Sequence, residues 1–228
     1  SVFLFGVYFV DSDLGFIAAD NGIIMKTTNG GTNWTIKSTP TSNRLYDIFF
    51  SDPSNGWAVG RNGAILHTTD SGESWVSQSS GTSTRLYGTY FLNPDTGFVV
   101  GWDGRLLKTV NGGSQWNTMN VSTSNYLYGI DFIDSQNGVI AGWNGTCLKT
   151  SDGGNSWSSV GNILAADAYA VDYVDSQTLW SSGSGMFARS TDGGAAWQSQ
   201  ISEIPEGSLN NVIATKTGTT YPDHYYII

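Results

Sequence analysis

An octet that recurs at a nearly fixed interval constrains the fold of this chain more than any other feature. "TTNGGTNW", "TTDSGESW", "TVNGGSQW", "TSDGGNSW" and "STDGGAAW" begin at Thr27, Thr68, Thr109, Thr150 and Ser190. The steps are 41, 41, 41 and 40 residues. The register holds outside the octet: Asp11, Asp52, Asn93, Asp134 and Asp175 keep the same step, as do Gly15, Gly56, Gly97 and Gly138, with Leu179 breaking the second series. The last unit drops one residue around "SSGSGM".

One unit reads as four short strands. "LYDIFFSD" alternates into a first strand, "NGWAVG" is a turn and a second, and "NGAILHT" is an Asn-Gly hairpin turn and a third. "TDSGESW" is a turn, and "WVSQSS" begins the fourth. Four strands in a period near 40 predict an all-β β-propeller of about five four-stranded blades. Helical repeats of similar length are excluded by the glycines and the period-2 alternation, and no capped 3.6-residue apolar stripe occurs. The Trp-Asp class of propeller repeat is a poor match, because that dipeptide occurs once, at Trp102-Asp103, inside a turn.

Composition agrees. Charged residues are 13%, glycines number 29, and there are 9 Trp, 11 Tyr and 10 Phe, as many short strands with tight turns require. The net charge of −9 argues against a nucleic-acid binder and against docking on an anionic membrane. No apolar run approaches the roughly 18–20 residues of a spanning helix. No signal peptide is visible, and the opening "SVFLFGVYFV" reads as the strand of a mature or trimmed product. The single cysteine, Cys147, stands where other units have Ile24, Ile65 and Leu106, and reads as a small buried hydrophobe. The histidines, His67 and His224, offer it no catalytic pairing. Asn33, Asn120 and Asn144 open N-x-S/T sequons, which bear glycans only in a eukaryotic secreted protein.

The octet matches the Asp-box pattern [ST]-x-[DN]-x-G-x-x-W, also called the bacterial neuraminidase repeat. Its longer context, "LYGIDFIDSQNGVIAGWNGTCLKTSDGGNSW", resembles the photosystem II assembly and stability factor family over about residues 1–201. That resemblance implies a propeller and, by analogy, an arginine-rich patch that holds a partner protein. The family's rings have seven blades, whereas this chain carries five units. Sialidases are also similar in Asp boxes and propeller shape. Their resemblance implies an arginine cluster, a Tyr/Glu nucleophile pair and an acid, but the glutamates here are Glu73, inside an octet, and Glu203 and Glu206, beside a linker.

Each octet position has a structural task. The side chains of Asn29, Asp70, Asn111, Asp152 and Asp192 can accept bonds from turn amides, and the Thr or Ser hydroxyl adds another. Gly72 and its equivalents permit positive φ. Trp34, Trp75, Trp116, Trp157 and Trp197 can pack in the seam between blades, worth roughly 2–3 kcal/mol each. Asn at two of the five boxes suits turn capping, not acid–base or metal chemistry. The Asp11, Asp52, Asp134 and Asp175 series reads the same way. We therefore expect no catalytic residue, metal or cofactor, and no enzyme activity from this chain.

Function is sought where the units disagree. The residue before the second-to-third-strand turn is Asp20, Arg61, Trp102, Trp143 or Ser184, and the residue two before the first-strand tyrosine is Arg44, Arg85 or Tyr126. In a propeller both connections open on one face. Arg44, Arg61, Arg85, Trp102, Tyr126 and Trp143 thus form a candidate surface for carboxylates, peptides or glycans, the alternative being ordinary turn and rim residues. Lys26, His67, Lys108, Lys149 and Arg189 form a ladder before each octet and read as a solvated rim.

After Gln200 the pattern stops. Residues 202–208 read as a linker, and 209–228 as a short non-repeat C-terminal hairpin. Asn211, Val212, Ile213, Ala214, Tyr221, Pro222 and Asp223 resemble the opening of zinc-dependent leucyl-aminopeptidase-type peptidases, which implies a catalytic part beyond Ile228 with His224 not a ligand. The alternative is a hairpin that joins the ring or begins a sixth blade. The expected function is a non-catalytic protein- or glycan-binding module, the propeller part of a secreted bacterial protein at the cell surface or outside it, or in the periplasm. The rivals are a self-assembling surface protein, joined through sheet edges, and the accessory domain of a zinc aminopeptidase.

Overall fold

A computed structural model describes residues 2–200 and the backbone of 212–213 and 226–227. The chain divides into two compact units, Ser1–Met119 and Asn120–Ile228. The first holds three four-stranded antiparallel sheets and the second holds two, each with its strands in chain order, so the fold is the all-β, five-blade propeller type.

Blade 1 is β1 (Leu4–Phe9), β2 (Leu14–Ala19), β3 (Ile24–Thr28) and β4 (Thr35–Lys37). Blade 2 is β5 (Leu45–Phe50), β6 (Gly56–Gly60), β7 (Ile65–Thr68) and β8 (Val76–Gln78). Blade 3 is β9 (Leu86–Phe91), β10 (Gly97–Gly101), β11 (Leu106–Thr109) and β12 (Asn117–Thr118). The second unit carries blade 4, with β13 (Leu127–Phe132), β14 (Gly138–Gly142), β15 (Thr146–Thr150) and β16 (Ser158–Asn162). Blade 5 follows as β17 (Ala168–Tyr173), β18 (Leu179–Gly183), β19 (Met186–Ser190) and β20 (Gln198–Ser199). Two further strands, β21 (Val212–Ile213) and β22 (Tyr226–Ile227), pair antiparallel. β21 lies beside β17 and β18, as β17 lies beside β13 and β14. The linker 202–208, His224 and most of the peptidase-like stretch lie outside the described residues.

The octet is a hydrogen-bonded turn in all five units. Thr68 Oγ1 donates to Asp70 Oδ1 (2.8 Å) and accepts from Gly72 N (3.0 Å), while Asp70 Oδ1 accepts from Ser74 N (2.9 Å). The same bonds recur with an amide at Asn29 and Asn111 and with a carboxylate at Asp152 and Asp192. Only the acceptor oxygen is used in common, so Asn and Asp are interchangeable here. Hydrogen bonds, led by the Ser74 hydroxyl, draw the Asp70 carboxyl down to about 2. The amide of the fourth octet residue then ties the turn to the loop between the first two strands, as in Ser71 N to Ser54 O (3.1 Å). That loop is itself capped by the preceding carboxylate, with Asp52 Oδ1 accepting from Ser54 N and Asn55 N, both at 2.8 Å.

Trp34, Trp75, Trp116 and Trp157 stand edge-on to a first-strand phenylalanine of their own blade, and Trp75, Trp116 and Trp197 also pack against the preceding blade. Trp75 meets Phe50 at 6.0 Å and 88° within a cluster that includes Phe16, Ala18 and Ile24 of blade 1. Phe50 in turn stacks on Phe16 at 4.1 Å, and Phe91 of blade 3 stacks on Trp57 of blade 2 at 3.5 Å. Trp116 joins the Trp57 cluster, and in the second unit Trp197 packs on a core containing Val139 and Cys147. Trp157 is likewise buried, against Phe132, whereas Trp34 of blade 1 is only half-buried. Burial pushes the Cys147 thiol up to about 12, as a core residue rather than a nucleophile.

The ladder before the octets differs from the solvated rim expected of it. Lys26 is buried and its ammonium donates to Glu73 in the octet of the next blade (2.6 Å); Lys149 donates to the Gly193 carbonyl of the next octet. His67 lies flat on Trp57 at 4.4 Å, and Arg189 on Trp180 at 5.6 Å. A long cation fills this position because its stem covers an apolar second strand while its head reaches the neighbouring turn.

A second inter-blade tie uses carboxylates of the first strands. Asp47 Oδ2 accepts from Thr89 N (2.8 Å), and Asp131 Oδ2 accepts from Tyr173 N (2.8 Å), each linking first strands of adjacent blades. Desolvation raises the Asp47 carboxyl to about 6, against an ordinary value of 3.8.

Two outcomes follow. Thr68→Val should lower unfolding free energy by about 1–2 kcal/mol by orphaning the Gly72 amide, whereas Asp192→Asn, where only Oδ1 accepts, should change it by under about 0.5 kcal/mol. Chemical denaturation at pH 7 separates them. For Asp47 the folded pKa exceeds the unfolded one, so its cost is absent below about pH 4, grows between about pH 4 and 6, and is complete above about pH 6. Asp47→Asn keeps the acceptor and should add about 1–3 kcal/mol at pH 7 and almost nothing at pH 4.

Candidate binding face

In every unit, the residue that ends the connection into the first strand meets the residue that opens the turn between the second and third. Arg61 N donates to Arg44 O (2.8 Å), Trp102 N to Arg85 O (2.9 Å) and Trp143 N to Tyr126 O (2.8 Å). Ser184 with Asp167 and Asp20 with Phe3 do the same. In blades 2 to 5 a glycine ahead of the turn lets the chains approach to 2.8–2.9 Å, whereas blade 1 has Ala19 there and a bond of 3.0 Å. A Cβ on Gly60 would lie 2.1 Å from the Arg44 carbonyl oxygen, and one on Gly101 would lie 2.2 Å from that of Arg85. The turn is a short 3-10 segment, Arg61–Gly63 in blade 2, with Asn62 at φ +57° and Gly63 at φ +69°. Two successive left-handed residues are what the Asn-Gly dipeptide supplies.

The six candidate residues therefore come together in pairs, each within one blade. In Ser1–Met119 the pairs are Arg44 with Arg61 and Arg85 with Trp102; in Asn120–Ile228 the pair is Tyr126 with Trp143. Their chemistry differs. Arg44 is engaged: its Nε donates to Asp20 Oδ1 of blade 1 at 2.5 Å, and its guanidinium lies 4.7 Å from the Phe5 ring. Arg44 is thus a clamp between blades 1 and 2 before it is a ligand contact. Arg85 lies over the Trp102 indole at 4.5 Å, a cation–π pair that presents the guanidinium flat. Arg61 is exposed and makes no side-chain hydrogen bond or ion pair among the described residues. It rims a polar cleft of about 270 Å³, lined also by Asp20, Asn21, Ser42, Asn43, Arg44 and Asn62.

In the second unit Tyr126 stacks on Trp143 at 5.8 Å and 30°, and Trp143 remains 47% exposed. Asn125 Nδ2 supports that turn through Thr146 Oγ1 (2.8 Å), and Asp167 Oδ1 accepts from Asn144 N (2.9 Å). The sequence reading missed the amides Asn21, Asn43 and Asn62. Two of them hid inside turn dipeptides, and only the folded turn brings Asn62 Nδ2 to Asn43 Oδ1 (3.0 Å). Among the described residues no cluster of His, Cys, Asp and Glu could hold a metal ion. No described helix is long and apolar enough to cross a membrane.

The close glycine contact makes the pairing testable. Gly101→Ala should cost about 1–3 kcal/mol and lift Arg85 from Trp102. Near-ultraviolet circular dichroism of the indole, read beside a denaturation curve, should report both.

Comparison with solved structures places the architecture. YCF48 from Cyanidioschyzon merolae superposes with a TM-score of 0.66 at 17% identity, covering 95% of this chain and 90% of that one. A YCF48 structure bound to a D1 peptide gives 0.63 at 16% identity, covering 93% and 88%. An ancestral GH74 enzyme gives 0.74 at 15% identity, but this chain spans only 33% of its length. No curated protein matches in sequence. These likenesses establish the propeller fold, while the family is fixed by sequence: the model of the photosynthesis system II assembly factor YCF48 matches residues 1–75, 38–110 and 109–202. With its five octets and their shared turn bonds, the chain belongs to the photosynthesis system II assembly factor YCF48 family.

Proposed function

We propose that this chain is a non-catalytic protein-binding module whose Arg61 cleft takes a carboxylate-bearing peptide segment. The carrying observation is Arg61, exposed and unpaired at the rim of a cleft rich in side-chain amides. A planar guanidinium binds a carboxylate with two parallel hydrogen bonds, and flanking amides can bond a peptide backbone. The Arg85–Trp102 pair adds an adjoining apolar surface with a second positive charge. The solved YCF48 relative with its D1 peptide supports a peptide as the kind of ligand such a propeller can hold. Support for a non-catalytic role comes from the family and from the octet carboxylates, all engaged in turn bonds.

A glycan is the second reading, favoured by the exposed Trp143 stacked on Tyr126, a flat platform for a sugar ring. The setting we propose is secreted, bacterial and at or outside the cell surface, the periplasm being the alternative; cell fractionation of the source tests it.

Binding is read by titrating the chain against an array of peptides with free C-terminal carboxylates and against a panel of oligosaccharides. Arg61→Glu should weaken the best peptide by about 1–2 kcal/mol, a roughly five- to thirtyfold rise in Kd. Trp143→Ala should leave that peptide unaffected. Peptide affinity unchanged in Arg61→Glu would sink the assignment, and sugar binding lost only in Trp143→Ala would favour the glycan reading.

A further inference from the structure

In every blade the pairing of the first two strands skips one residue, and the skipped residue is aromatic. In blade 2 Leu45 faces Gly60 and Asp47 faces Val59, which leaves Tyr46 out; in blade 3 Leu86 faces Gly101 and Gly88 faces Val100, which leaves out Tyr87. Phe5, Tyr128 and Tyr169 are passed over in the same way. Such a bulge re-aims the side chain that it carries. It sits where neighbouring first strands come close: a Cβ on Gly6, the residue after the blade 1 bulge, would lie 2.8 Å from the Asp47 Cα. The re-aimed rings of successive blades therefore meet. In Ser1–Met119, Phe5 lies 5.5 Å from Tyr46, and Tyr46 lies 5.2 Å from Tyr87 with the two planes tilted by 52°. In Asn120–Ile228, Tyr128 and Tyr169 are 5.3 Å apart.

The tyrosines are not core residues. Leu45 and Leu86, one position earlier, are fully buried, whereas Tyr46 and Tyr87 stay half-buried. The Tyr46 hydroxyl makes no hydrogen bond among the described residues, and it is open to solvent. Ring packing alone is served by phenylalanine, as at Phe5, so the phenol of Tyr46 is a donor that the fold leaves unused.

The surroundings limit what this pair can hold. Arg44 and Arg85 stand two residues before the tyrosines and disfavour a cation between the rings. The 52° tilt makes a wedge, not the single flat face on which a sugar ring stacks. A pyrrolidine ring fits a wedge of this kind. Proline-rich segments dock in aromatic-lined grooves, and their carbonyls, unpaired within the segment, accept from outside donors. We propose that Tyr46 and Tyr87 form a proline-binding site, with the pyrrolidine ring between the two aromatic rings and the Tyr46 hydroxyl donating to a peptide carbonyl. The position of that proline in the ligand rests on the reading of the Arg61 cleft as a carboxylate site. Arg61 N is bonded to Arg44 O, and Tyr46 follows two residues on, roughly 7 Å of strand. The proline therefore falls about two to four residues before the carboxylate.

The test is fluorescence anisotropy with the full chain and labelled hexapeptides that end in a free carboxylate. The parent peptide is all alanine; the others carry a single proline or a single leucine at the second, third or fourth residue from the C-terminus. Wild type should bind the best proline peptide about five- to twentyfold tighter than the parent, and at least about threefold tighter than its leucine counterpart. Tyr46→Ala and Tyr87→Ala should each cut the proline advantage to under about twofold. Tyr46→Phe, which keeps the ring and so guards the fold, should lose at least about half of it. Arg61→Glu should weaken proline and alanine peptides alike, so that the advantage survives. No proline advantage in wild type, or one undiminished in Tyr46→Phe and Tyr46→Ala, overturns the proposal. Leucine equal to proline does so too, since it marks a plain apolar contact. A proline advantage that Tyr46→Ala erases, with every affinity unchanged in Arg61→Glu, overturns the carboxylate reading alone. Circular dichroism matching wild type shows that the variants are folded.

Discussion

The seam between successive blades is the contact on which the described blade packing depends. A four-stranded sheet of short strands cannot bury both faces by itself, so each blade is stabilised by its neighbour. The octet makes that possible by shaping a turn that is narrow at one point and broad at another. Gly72 leaves room for Phe16, and Trp75 fills the space beside it. The hydroxyl of Thr68 and the oxygen of Asp70 hold the two in register. The turn is thus rigid because its polar groups are satisfied locally, leaving its apolar groups free to face the next sheet.

Around this common seam the units vary, and the variation is ordered. The position before the octet is always long and directed across the seam or onto an aromatic ring, whether Lys26, His67, Lys149 or Arg189. The first strands add ties of their own. Asp47 and Asp131 each accept a backbone amide from the next blade, from different strand positions, so the bond is met twice by different sequence solutions. Asp47 does so at an electrostatic cost, since burial raises its carboxyl to about 6. The face carrying Arg61 is built on the same frame. Its side chains differ from blade to blade while the backbone bond beneath them stays the same.

Much of the fold was legible because repetition converts weak local signals into a strong one. Asn-Gly, period-2 alternation and a lone Trp mean little once; at a constant step they define blades. Asn at Asn29 and Asn111 was enough to predict turn capping, since the shared geometry uses one acceptor oxygen. The ladder of Lys26 and Lys149 was misread because a cation near a turn looks solvated until the neighbouring blade is placed against it. The candidate face was read from the sequence as one set of dissimilar positions, and the backbone bond that joins them two by two within a blade was not foreseen. Nor was the difference between Arg44 and Arg61: both are arginines at variable positions, and only packing brings Asp20 to one of them.

The sequence by itself determined the blade, because turn chemistry and strand alternation are local and act over less than one 41-residue unit. It also determined that the octet forms a turn built on one acceptor oxygen. The tertiary structure decided which charged side chains are spent inside the protein and which remain available, because that depends on contacts between residues 24–47 positions apart. It likewise decided which copy of a repeated residue is exposed. Leu4 and Leu45 are the same residue in the same register, and only a neighbouring sheet makes one a core residue and the other a surface.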